Sequence, residues 1–280
     1  MNTAYSYDNI VLTPKYSEIK SRSKLDASVE FLGKKFKSVA IPANMKCTID
    51  FKKAQELSEA EYFYVLHRFY DYDDIYDWVK DNQDLKTISI SVGVNEKDYE
   101  LVNDLFVNKL RVDYITIDVA HGHHILVKEM IEHIKNHSFK NDAKIIAGNI
   151  GTTYAAMDLK SWGADAVKVG LSMGKSCTTY NCTGVGTPMF STVANLSYLN
   201  VPVIADGQIR EVGDVCKALV AGADMVMIGS EFAKCKDSPA KTVENKKEFY
   251  GSASSTNKGH DGYVEGKTVY LEKIPKLDSP

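Results

Sequence analysis

The sequence of 280 residues predicts an α/β fold, a (β/α)8 or TIM barrel. Eight short runs rich in Val, Ile and Tyr recur along the chain, and most lack period-2 alternation, as is typical of parallel strands covered on both faces. Amphipathic stretches with apolar residues at i, i+3 and i+4 lie between them. A Gly-Ala-Asp pattern, followed by four strand residues and Gly, also occurs twice, at 163–170 and 222–229. Eight strands with helical crossovers favour a closed barrel over an open doubly wound sheet.

The eight predicted strands are, in chain order, Ser38–Asn44, Tyr62–Arg68, Thr87–Gly93, Tyr114–Gly122, Lys144–Ile150, Ala166–Ser172, Val201–Gly207 and Met225–Glu231. Helical periodicity is clearest at Glu96–Lys109, His124–Asn136 and Val212–Ala221. Each Gly-Ala-Asp fits a helix that ends at a left-handed glycine just before the next strand. We expect residues 1–280 to form one domain, because the sequence has no linker or low-complexity region, only a looser Lys/Ser/Asn/Gly stretch at about 234–266.

Composition argues against several classes of function. Lys and Arg number 34 and Asp and Glu 37, so the formal net charge of −3 gives no electrostatic support for binding nucleic acid or a membrane surface. The five cysteines show no paired or metal-ligand spacing, and no signal sequence or long apolar span precedes them. These features predict a cytoplasmic protein with free thiols.

A loop at residues 170–187 sets Cys177 among glycine and hydroxyl side chains, directly after an apolar strand-like run. Barrel enzymes carry their chemistry at the carboxyl ends of the strands, which is where this loop begins. Amide and hydroxyl groups of such a loop can stabilise a thiolate, the reactive form of cysteine. The pattern predicts a nucleophile at Cys177, with a buried structural cysteine as the alternative.

The last two predicted strands end in Asp206-Gly207 and Gly229-Ser230, at the usual phosphate site of barrels. Glycines there let backbone N–H groups approach the phosphate oxygens. Because two anions repel, we expect the Asp206 carboxylate to accept hydrogen bonds from ribose hydroxyls, or alternatively to cap a helix. Asp118 lies inside an apolar run, where a carboxylate needs a partner or a ligand.

A series of short motifs extends this pattern over about residues 5–272. In chain order they are Ser21-Arg22-Ser23, Pro42-Ala-Asn-Met45, His67-Arg68-Phe69, Ile117-Asp118-Val-Ala-His-Gly122, Ala147-Gly-Asn149, Val169-Gly170, Ser176-Cys177-Thr-Thr179, Thr183-Gly184-Val-Gly186, Ile204-Ala-Asp-Gly207, Met227-Ile-Gly229-Ser230, Tyr250-Gly-Ser252 and Glu265-Gly-Lys267. Their order and approximate spacing resemble the IMP dehydrogenase/GMP reductase family. The resemblance implies a barrel enzyme of purine nucleotide metabolism with a late active-site flap at about residues 234–270, after the eighth strand.

Within that family the residues favour the reductase activity over the dehydrogenase activity. Dehydrogenases of the family normally carry a pair of small domains after the second strand, whereas about 20 residues separate Arg68 from Thr87 here. The family assigns the water-activating base of the dehydrogenase to an arginine in the late flap, and no arginine follows Arg210. The resemblance, closest to the shorter bacterial type, therefore implies NADPH-dependent reductive deamination of GMP to IMP and ammonia. The reaction passes through a thioimidate on Cys177 and belongs to purine nucleotide salvage.

The resemblance also implies roles for individual residues. The catalytic residues would be Cys177, with Thr179 and Glu265 protonating the departing amine; a capping hydroxyl and a solvated loop carboxylate are the alternatives for the latter two. Substrate binding would involve Asp206, Gly207, Gln208, Gly229, Ser230, Tyr250, Gly251, Ser252, Ala253, Tyr263, Val264 and Gly266. Cofactor binding would involve Ser21, Arg22, Arg68, Asp118, Val119, Ala120, Leu171 and Ser172. A K⁺ ion would be held around Ser172, Gly174 and Cys177, and the protein would be a homotetramer.

Three features depart from the family pattern. Ser172 and Gln208 stand where the family usually has glycine, and a positive φ at either position would cost roughly 1 kcal/mol or more. The family also continues past Leu271 into a closing helix and a C-terminal segment, whereas this chain stops at Pro280.

Three other functions stay open on the sequence. The chain could be an inactive homologue that still binds purine nucleotide, or a dehydrogenase with a different base. An unrelated aldolase-type barrel is a more distant alternative. It would need a lysine at a strand end to form a Schiff base, and no lysine other than Lys168, which precedes Gly170, is placed there.

Overall fold

The computed structural model describes residues 3–137, 142–171, 183–252, 254–258 and 267–274. Its strands are β1 (Val29–Phe31), β2 (Lys34–Phe36), β3 (Ala40–Pro42), β4 (Ser89–Val92), β5 (Tyr114–Asp118), β6 (Lys144–Ile150), β7 (Ala166–Val169), β8 (Val203–Asp206), β9 (Met225–Ile228), β10 (Thr242–Val243), β11 (Lys246–Tyr250) and β12 (Thr268–Glu272). Its α-helices are α1 (Phe51–Glu59), α2 (Tyr72–Asp81), α3 (Glu96–Val107), α4 (Ile125–His137), α5 (Thr153–Trp162), α6 (Met189–Leu196), α7 (Val212–Ala221), α8 (Ser230–Lys234) and α9 (Ser255–Lys258). None of the described helices is long and apolar enough to span a membrane.

Seven parallel strands form the central sheet, in the order β3-β9-β8-β7-β6-β5-β4. A helix follows each of these strands along the chain, from α1 after β3 to α8 after β9, with α2 after the segment 62–68. This arrangement is that of a (β/α)8 TIM barrel, so the predicted fold class is confirmed. Because the carboxyl ends of parallel strands meet at one edge, the strand-end residues predicted from the sequence converge there.

The prediction of a second strand at Tyr62–Arg68 is wrong, since the structure assigns no strand to this segment. The backbone N–H of Leu66 donates to the carbonyl of Ser89 on β4 at 3.2 Å. The short strand β3 ends at Pro42, which has no N–H to donate to a neighbour. The side chains of Phe63 and Val65 are nevertheless fully buried in the interior of the barrel. The segment therefore takes the position of a barrel strand without a continuous ladder.

Two apolar cores lie on the two faces of the sheet. The outer core joins the sheet to the helices and includes Leu57, Val79, Ile115, Val167 and Val203. The inner core fills the barrel, and its members include Ile41, Phe63, Tyr114, Ile146, Ala166, Ile204, Met225 and Met227. Since successive strand residues point to opposite faces, the inner core shows which face of each strand looks inward.

A hairpin of β1 and β2, which the sequence analysis did not predict, covers the amino-terminal end of the barrel. Its side chains Phe31 and Phe36 lie with ring centroids 5.3 Å and 5.1 Å from that of Phe63. Phe36 also contacts Tyr114, at the first position of β5, at 6.2 Å. The open end of the barrel is therefore the carboxyl end.

The repeated Gly-Ala-Asp pattern behaves as predicted in both copies. Gly163 and Gly222 cap α5 and α7 with φ +114° and +110°, the left-handed conformation that favours glycine. The aspartate that follows each glycine, Asp165 or Asp224, lies directly before the next strand. The two copies are equivalent helix-to-strand connections of the barrel.

The stretch predicted to be a loose flap contains regular structure. Strands β10, β11 and β12 form an antiparallel sheet, in which Tyr250 pairs with Thr268. Phe249 and Leu271 of this sheet pack with Cys47 and Ala233 in a third apolar cluster. Alternating burial along β11 anchors this part of the chain to the barrel, because each second side chain is buried.

Candidate active site

Three charged side chains, on β5, β7 and β8, point into the barrel at its carboxyl end. Asp118, Lys168 and Asp206 lie two or four residues after the inner-core residues Tyr114, Ala166 and Ile204 of the same strands, and so share their face. The register aligns Asp118 with Gly148 and Gly148 with Lys168 across β5, β6 and β7. The fold therefore places one lysine between two carboxylates.

The Lys168 side chain bridges the two aspartates. Its Nζ lies 2.8 Å from Asp118 Oδ1 and 2.8 Å from Asp206 Oδ2, and the residue is 2% exposed. Arg68 adds a second cation, with its Nε 3.9 Å from Asp118 Oδ2. The burial of these charges is tolerated because each is paired.

The charges hold one another in the ionised state. Burial alone would raise the pKa of Asp118, but the charge and hydrogen bond of Lys168, assisted by Arg68, hold that pKa below its usual value. Burial alone would lower the pKa of Lys168, but Asp118 and Asp206 outweigh it and raise that pKa above the usual lysine value. A lysine kept protonated is a poor amine nucleophile, which argues against the Schiff-base alternative at Lys168.

Glycines make room for this cluster at two positions. A Cβ on Gly148 would lie 2.4 Å from the Lys168 carbonyl oxygen and 2.7 Å from its Cβ. A Cβ on Gly170 would lie 1.8 Å from the Asp206 carbonyl oxygen. Both motif glycines are thus required by the close approach of neighbouring strands, and Gly170 brings the start of the predicted catalytic loop against Asp206.

Asn149, at the end of β6, fixes the orientation of Asp206. Its Nδ2 donates to Asp206 Oδ2 at 2.9 Å and to the Gly170 carbonyl at 2.8 Å. Asp206 Oδ2 therefore accepts from both Lys168 and Asn149, and among the described residues these donors converge on that one oxygen. These two hydrogen bonds fix the Asp206 carboxylate with its Oδ2 toward Lys168 and Asn149.

A cavity of about 90 Å³ lies beside Asp206. Five of the residues predicted to bind substrate line it, namely Asp206, Gly207, Gln208, Gly229 and Ser230, together with Ala43, Met45, Ile209, Arg210, Met227 and Phe249. The structure thus brings together the residues predicted from the ends of the last two barrel strands. A sugar phosphate is the kind of ligand predicted for them.

The departure from the family pattern at Gln208 has a backbone consequence. Gln208 adopts φ +60°, next to Gly207 at φ +115°. The sequence analysis expected strain at this position if φ were positive, and that condition is met. The side chain is 8% exposed, and its Oε1 has no hydrogen-bond partner among the described residues.

The structure places only some of the residues predicted to bind the cofactor near Asp118. Arg68 lies beside Asp118, and its buried Nε has no hydrogen-bond partner in the described part of the chain, although its guanidinium lies 4.9 Å from the Phe69 ring. Val119 follows Asp118, and its N–H donates to the Gly148 carbonyl at 3.0 Å. Ala120 is exposed and Leu171 is half-buried on the same edge of the barrel.

Ser21 and Arg22 are exposed in a short 3-10 turn, Arg22–Lys24, which the Ser21 side chain caps by accepting from Ser23 N at 3.3 Å. Within the described ranges no hydrogen bond or ion pair joins either residue to the Lys168 cluster.

Tyr250, Gly251 and Ser252 follow the wall residue Phe249 but do not line the cavity. The Gly251 carbonyl accepts from Ser254 Oγ at 2.7 Å, and the Ser252 carbonyl from Asn257 Nδ2 at 2.9 Å.

The remaining predicted site residues lie outside the described residues: Cys177, Thr179, Glu265, Ser172, Gly174, Ala253, Tyr263, Val264 and Gly266. Among the cysteines that are described, Cys47 is buried, and burial raises the pKa of its thiol to about 11. Such a thiol stays protonated at neutral pH and is a poor nucleophile.

Within the residues that the structure covers, no group of three His, Cys, Asp or Glu side chains could hold a metal ion. A larger cavity of about 290 Å³ lies near the amino-terminal hairpin, lined by Lys34, Phe36, Glu61 and Lys86 among others. Lys86 Nζ there donates to the Glu59 carbonyl at 2.9 Å. The converging strand ends favour the cavity beside Asp206 as the functional one.

The sequence analysis missed two residues of this site, Lys168 as an ionic partner and Asn149 as a donor. A lysine inside the apolar run of β7 was a usable signal, because a lysine buried in a strand must be paired. Its partners come from strands distant in sequence, so pairing with Asp118 and Asp206 follows from the barrel rather than from local pattern.

Comparison with known proteins agrees with these features. A family model described as the IMP dehydrogenase / GMP reductase domain matches residues 4–276. The chain is 45% identical over 277 residues to a protein of Leptothrix cholodnii named GMP reductase, covering 96% of this chain and 84% of that protein. It is 44% identical over 288 residues to the GMP reductase of Oceanobacillus iheyensis, covering 100% and 87%. With the GMP reductase of Mesoplasma florum it shares 45% identity over 282 residues, covering 98% and 87%.

Proposed function

The chain belongs to the IMP dehydrogenase/GMP reductase family, and from this we propose that it catalyses the NADPH-dependent reductive deamination of GMP to IMP and ammonia. The observation that carries the proposal is the Lys168 bridge at the open end of the barrel. It joins Asp118, on the side assigned to the cofactor, to Asp206, on the side assigned to the nucleotide, at 2.8 Å each. One rigid ionic cluster can thus orient both reactants.

The cavity beside Asp206 suits the ribose phosphate of GMP. Asp206 is held by Lys168 and Asn149 on one oxygen, which leaves its other oxygen to accept from ribose. Gly207, Gly229 and Ser230 line the same cavity and can bring backbone N–H groups close to phosphate oxygens. Tyr250, Gly251, Ser252 and Ala253 would complete the phosphate site, and Tyr263, Val264 and Gly266 would face the purine.

The region around Arg68 and Asp118 fits a nicotinamide dinucleotide. The Arg68 side chain is 25% exposed while its Nε faces Asp118, so the rest of its guanidinium can donate to an acceptor of the bound cofactor. Asp118, Val119, Ala120, Leu171 and Ser172 would face the nicotinamide end, with Ser21 and Arg22 as further contacts. NADPH, when bound, supplies a hydride to C2 of the purine.

The covalent chemistry falls to the loop that leaves β7 beside Asp206. The Cys177 thiolate attacks C2 of guanine and forms a C–S bond, while the exocyclic C–N bond breaks and the amine leaves as ammonia. Amide ion is a very poor leaving group, so Thr179 and Glu265 protonate the nitrogen as that bond breaks. Hydride addition at C2 then lets the C–S bond break, which releases IMP and restores the thiol.

We prefer the reductase activity to the dehydrogenase activity because the dehydrogenase must hydrolyse its thioimidate, and that hydrolysis needs a base that activates water. The late part of the chain contains no arginine after Arg210. Arg210 itself is paired, with its Nη1 2.8 Å from Asp8 Oδ2. The chain therefore lacks the arginine that the family resemblance assigns to that step.

The proposal extends to a K⁺ ion around Ser172, Gly174 and Cys177, to a homotetramer and to a cytoplasmic location. These follow from the resemblance to the family. Activity in K⁺ buffer compared with Na⁺ buffer checks the ion, and sedimentation checks the oligomer.

The test is to incubate the purified protein with GMP and NADPH and to follow the loss of reduced cofactor. We expect NADPH consumption with IMP and ammonia formed in equal amounts. A Cys177→Ala variant should bind GMP but lose turnover, because uncatalysed displacement at C2 is too slow to replace the covalent route, while Cys216→Ser, a change of an exposed cysteine, should retain it.

Two results would contradict the proposal. GMP binding without turnover would indicate a non-catalytic nucleotide-binding homologue. Formation of NADH from IMP and NAD⁺, without consumption of NADPH by GMP, would indicate a dehydrogenase.

A further inference from the structure

Gln208 combines two unfavourable features in one residue beside the nucleotide cavity. Its backbone has φ +60°, a conformation that side-chain-bearing residues rarely adopt. The residue is part of the cavity lining and is 8% exposed, and its side chain buries a carboxamide oxygen with no hydrogen-bond partner among the described residues. Both features lower the stability of the free protein.

Glycine at position 208 would remove both features. It would adopt the same φ without strain, and it would carry no amide to desolvate. Strained backbone and unpaired buried polar atoms cluster where a ligand or a functional constraint compensates for them. The presence of glutamine rather than glycine at this position of the cavity wall therefore points to a contact made when a ligand is bound.

The neighbouring groups indicate which ligand atom Gln208 meets. Asp206, two residues earlier, is an acceptor whose Oδ2 receives Lys168 and Asn149 at 2.8 Å and 2.9 Å. The buried Gln208 Oε1 is also an acceptor, so the cavity suits a ligand group that donates hydrogen bonds. A phosphate dianion only accepts, whereas a sugar hydroxyl donates to an oxygen and can also accept from the amide nitrogen.

We propose that the Gln208 carboxamide binds a ribose hydroxyl of the nucleotide and makes the site selective for ribonucleotides over deoxyribonucleotides. This inference rests on the proposed function, which puts a purine ribonucleotide in this cavity. It adds a side-chain contact and a substrate selectivity to that function.

Two variants separate the side chain from the backbone. Gln208→Gly removes the carboxamide and relieves the backbone strain, whereas Gln208→Met removes the polar atoms but keeps the side-chain length and the strained backbone. We expect Gln208→Gly to raise the melting temperature of the free protein by about 2 °C, which also shows that the variant is folded.

The affinity of the wild type and of each variant for GMP, 2′-deoxy-GMP and 3′-deoxy-GMP is then measured by calorimetry without NADPH, with Cys177→Ala introduced into every protein so that no covalent adduct forms. For one of the two deoxynucleotides, the ratio of its Kd to the Kd of GMP should be about tenfold larger in the wild type than in either variant. A tenfold ratio is the effect of one well-placed hydrogen bond. The preference over the other deoxynucleotide, which depends on Asp206, should change by less than about twofold.

Binding and turnover are read separately, so the two proposals can fail independently. Absence of NADPH consumption by the wild type would contradict the proposed reaction but would leave this binding comparison intact. Unchanged ratios in both variants, or an equal loss of affinity for all three nucleotides, would overturn the role of Gln208 as a hydroxyl ligand. Failure of the wild type to bind any of the three would overturn it as well.

Discussion

Lys168 is the residue whose charge matters most to the site. Its ammonium is buried between Asp118 and Asp206, with Arg68 as a second cation beside Asp118. In a low-dielectric interior, such a cluster is stable only while every charge keeps its partner. The lysine thus joins two carboxylates that the proposed mechanism assigns to two different reactants, and it lowers the pKa of Asp118.

Replacing this lysine leads to a prediction about pH. Lys168→Met should lower the free energy of unfolding at pH 7 by about 3–5 kcal/mol, because it leaves two buried carboxylates with one partially paired cation. In the wild type the pKa of Asp118 lies below its unfolded value of 3.8, so its stabilising contribution is complete above that pH and is lost as the pH falls through the native pKa. In the variant, burial dominates and raises that pKa, so lowering the pH toward 5 should recover part of the lost stability.

Urea unfolding at pH 5 to 8 measures this effect. Lys128→Met is the matched control, since its exposed pair with Glu132 at 3.7 Å should contribute less than about 1 kcal/mol. Because Lys168→Met could fold poorly, the double variant Lys168→Met/Asp118→Asn provides a second measurement, and it should be more stable at pH 7 than the single variant. A single variant as stable as the wild type at pH 7, or one that loses further stability on acidification, would contradict the assignment.

At the residue scale the sequence predicted roles better than partners. The need of Asp118 for a partner and the strain at Gln208 both followed from residue type and local pattern. The partner of Asp118 did not, because Lys168 lies 50 positions later and meets it only through the register of β5, β6 and β7. Long-range pairing of this kind depends on tertiary structure, which residue type alone does not encode.

At the element scale, the barrel repeats one connection before β5, β7 and β9. Asp113, Asp165 and Asp224 each donate their N–H to a carbonyl of the preceding strand region, at Ile88, Ile145 and Val203, over 2.9, 2.7 and 2.9 Å. Each carboxylate accepts the N–H of that same residue in return, at 2.7, 2.8 and 2.7 Å. The reciprocal pair fixes where each new strand starts relative to its neighbour.

We therefore predict that Asp165→Ala lowers the free energy of unfolding by about 1–2 kcal/mol, because the Ile145 N–H is left unpaired in a buried strand. Asp165→Asn should cost less, since its amide oxygen still accepts. Urea unfolding measures the change, and the exposed Asp84→Ala serves as a control within about 0.5 kcal/mol of the wild type. An Asp165→Ala protein as stable as this control would show that the carboxylate does not hold the strand.

The sequence predicted elements where the local pattern is strong. The helices around 96–109, 124–136 and 212–221 and the left-handed glycines at 163 and 222 agree with the structure to within a residue or two at each end. The strand predicted at 62–68 forms no continuous ladder, and the hairpin β1–β2 was not predicted at all. The first depends on hydrogen-bond partners from other strands, and the second on aromatic packing of Phe31 and Phe36 across the barrel interior.

At the scale of the whole molecule, the fold gathers the ends of β5, β6, β7 and β8 around one ionic cluster, of which Asp206 also lines the cavity. Each strand supplies a different group, respectively Asp118, Asn149, Lys168 and Asp206. The amino-terminal end is filled by the hairpin, and β11 adds Phe249 to the wall of the cavity. The barrel explains why residues scattered over the chain can act on one nucleotide, and the loop after β7 is where the reacting sulfur would enter.

The measurement that tests the central claim most directly is the intact mass of the protein after incubation with GMP in the absence of NADPH, followed by acid quenching. The proposed reaction predicts an added mass equal to GMP less ammonia, located on Cys177 by peptide mapping, absent from Cys177→Ala and lost when NADPH is added before the quench. A protein that consumes NADPH with GMP but never carries this adduct, or carries it on another cysteine, would contradict the covalent mechanism.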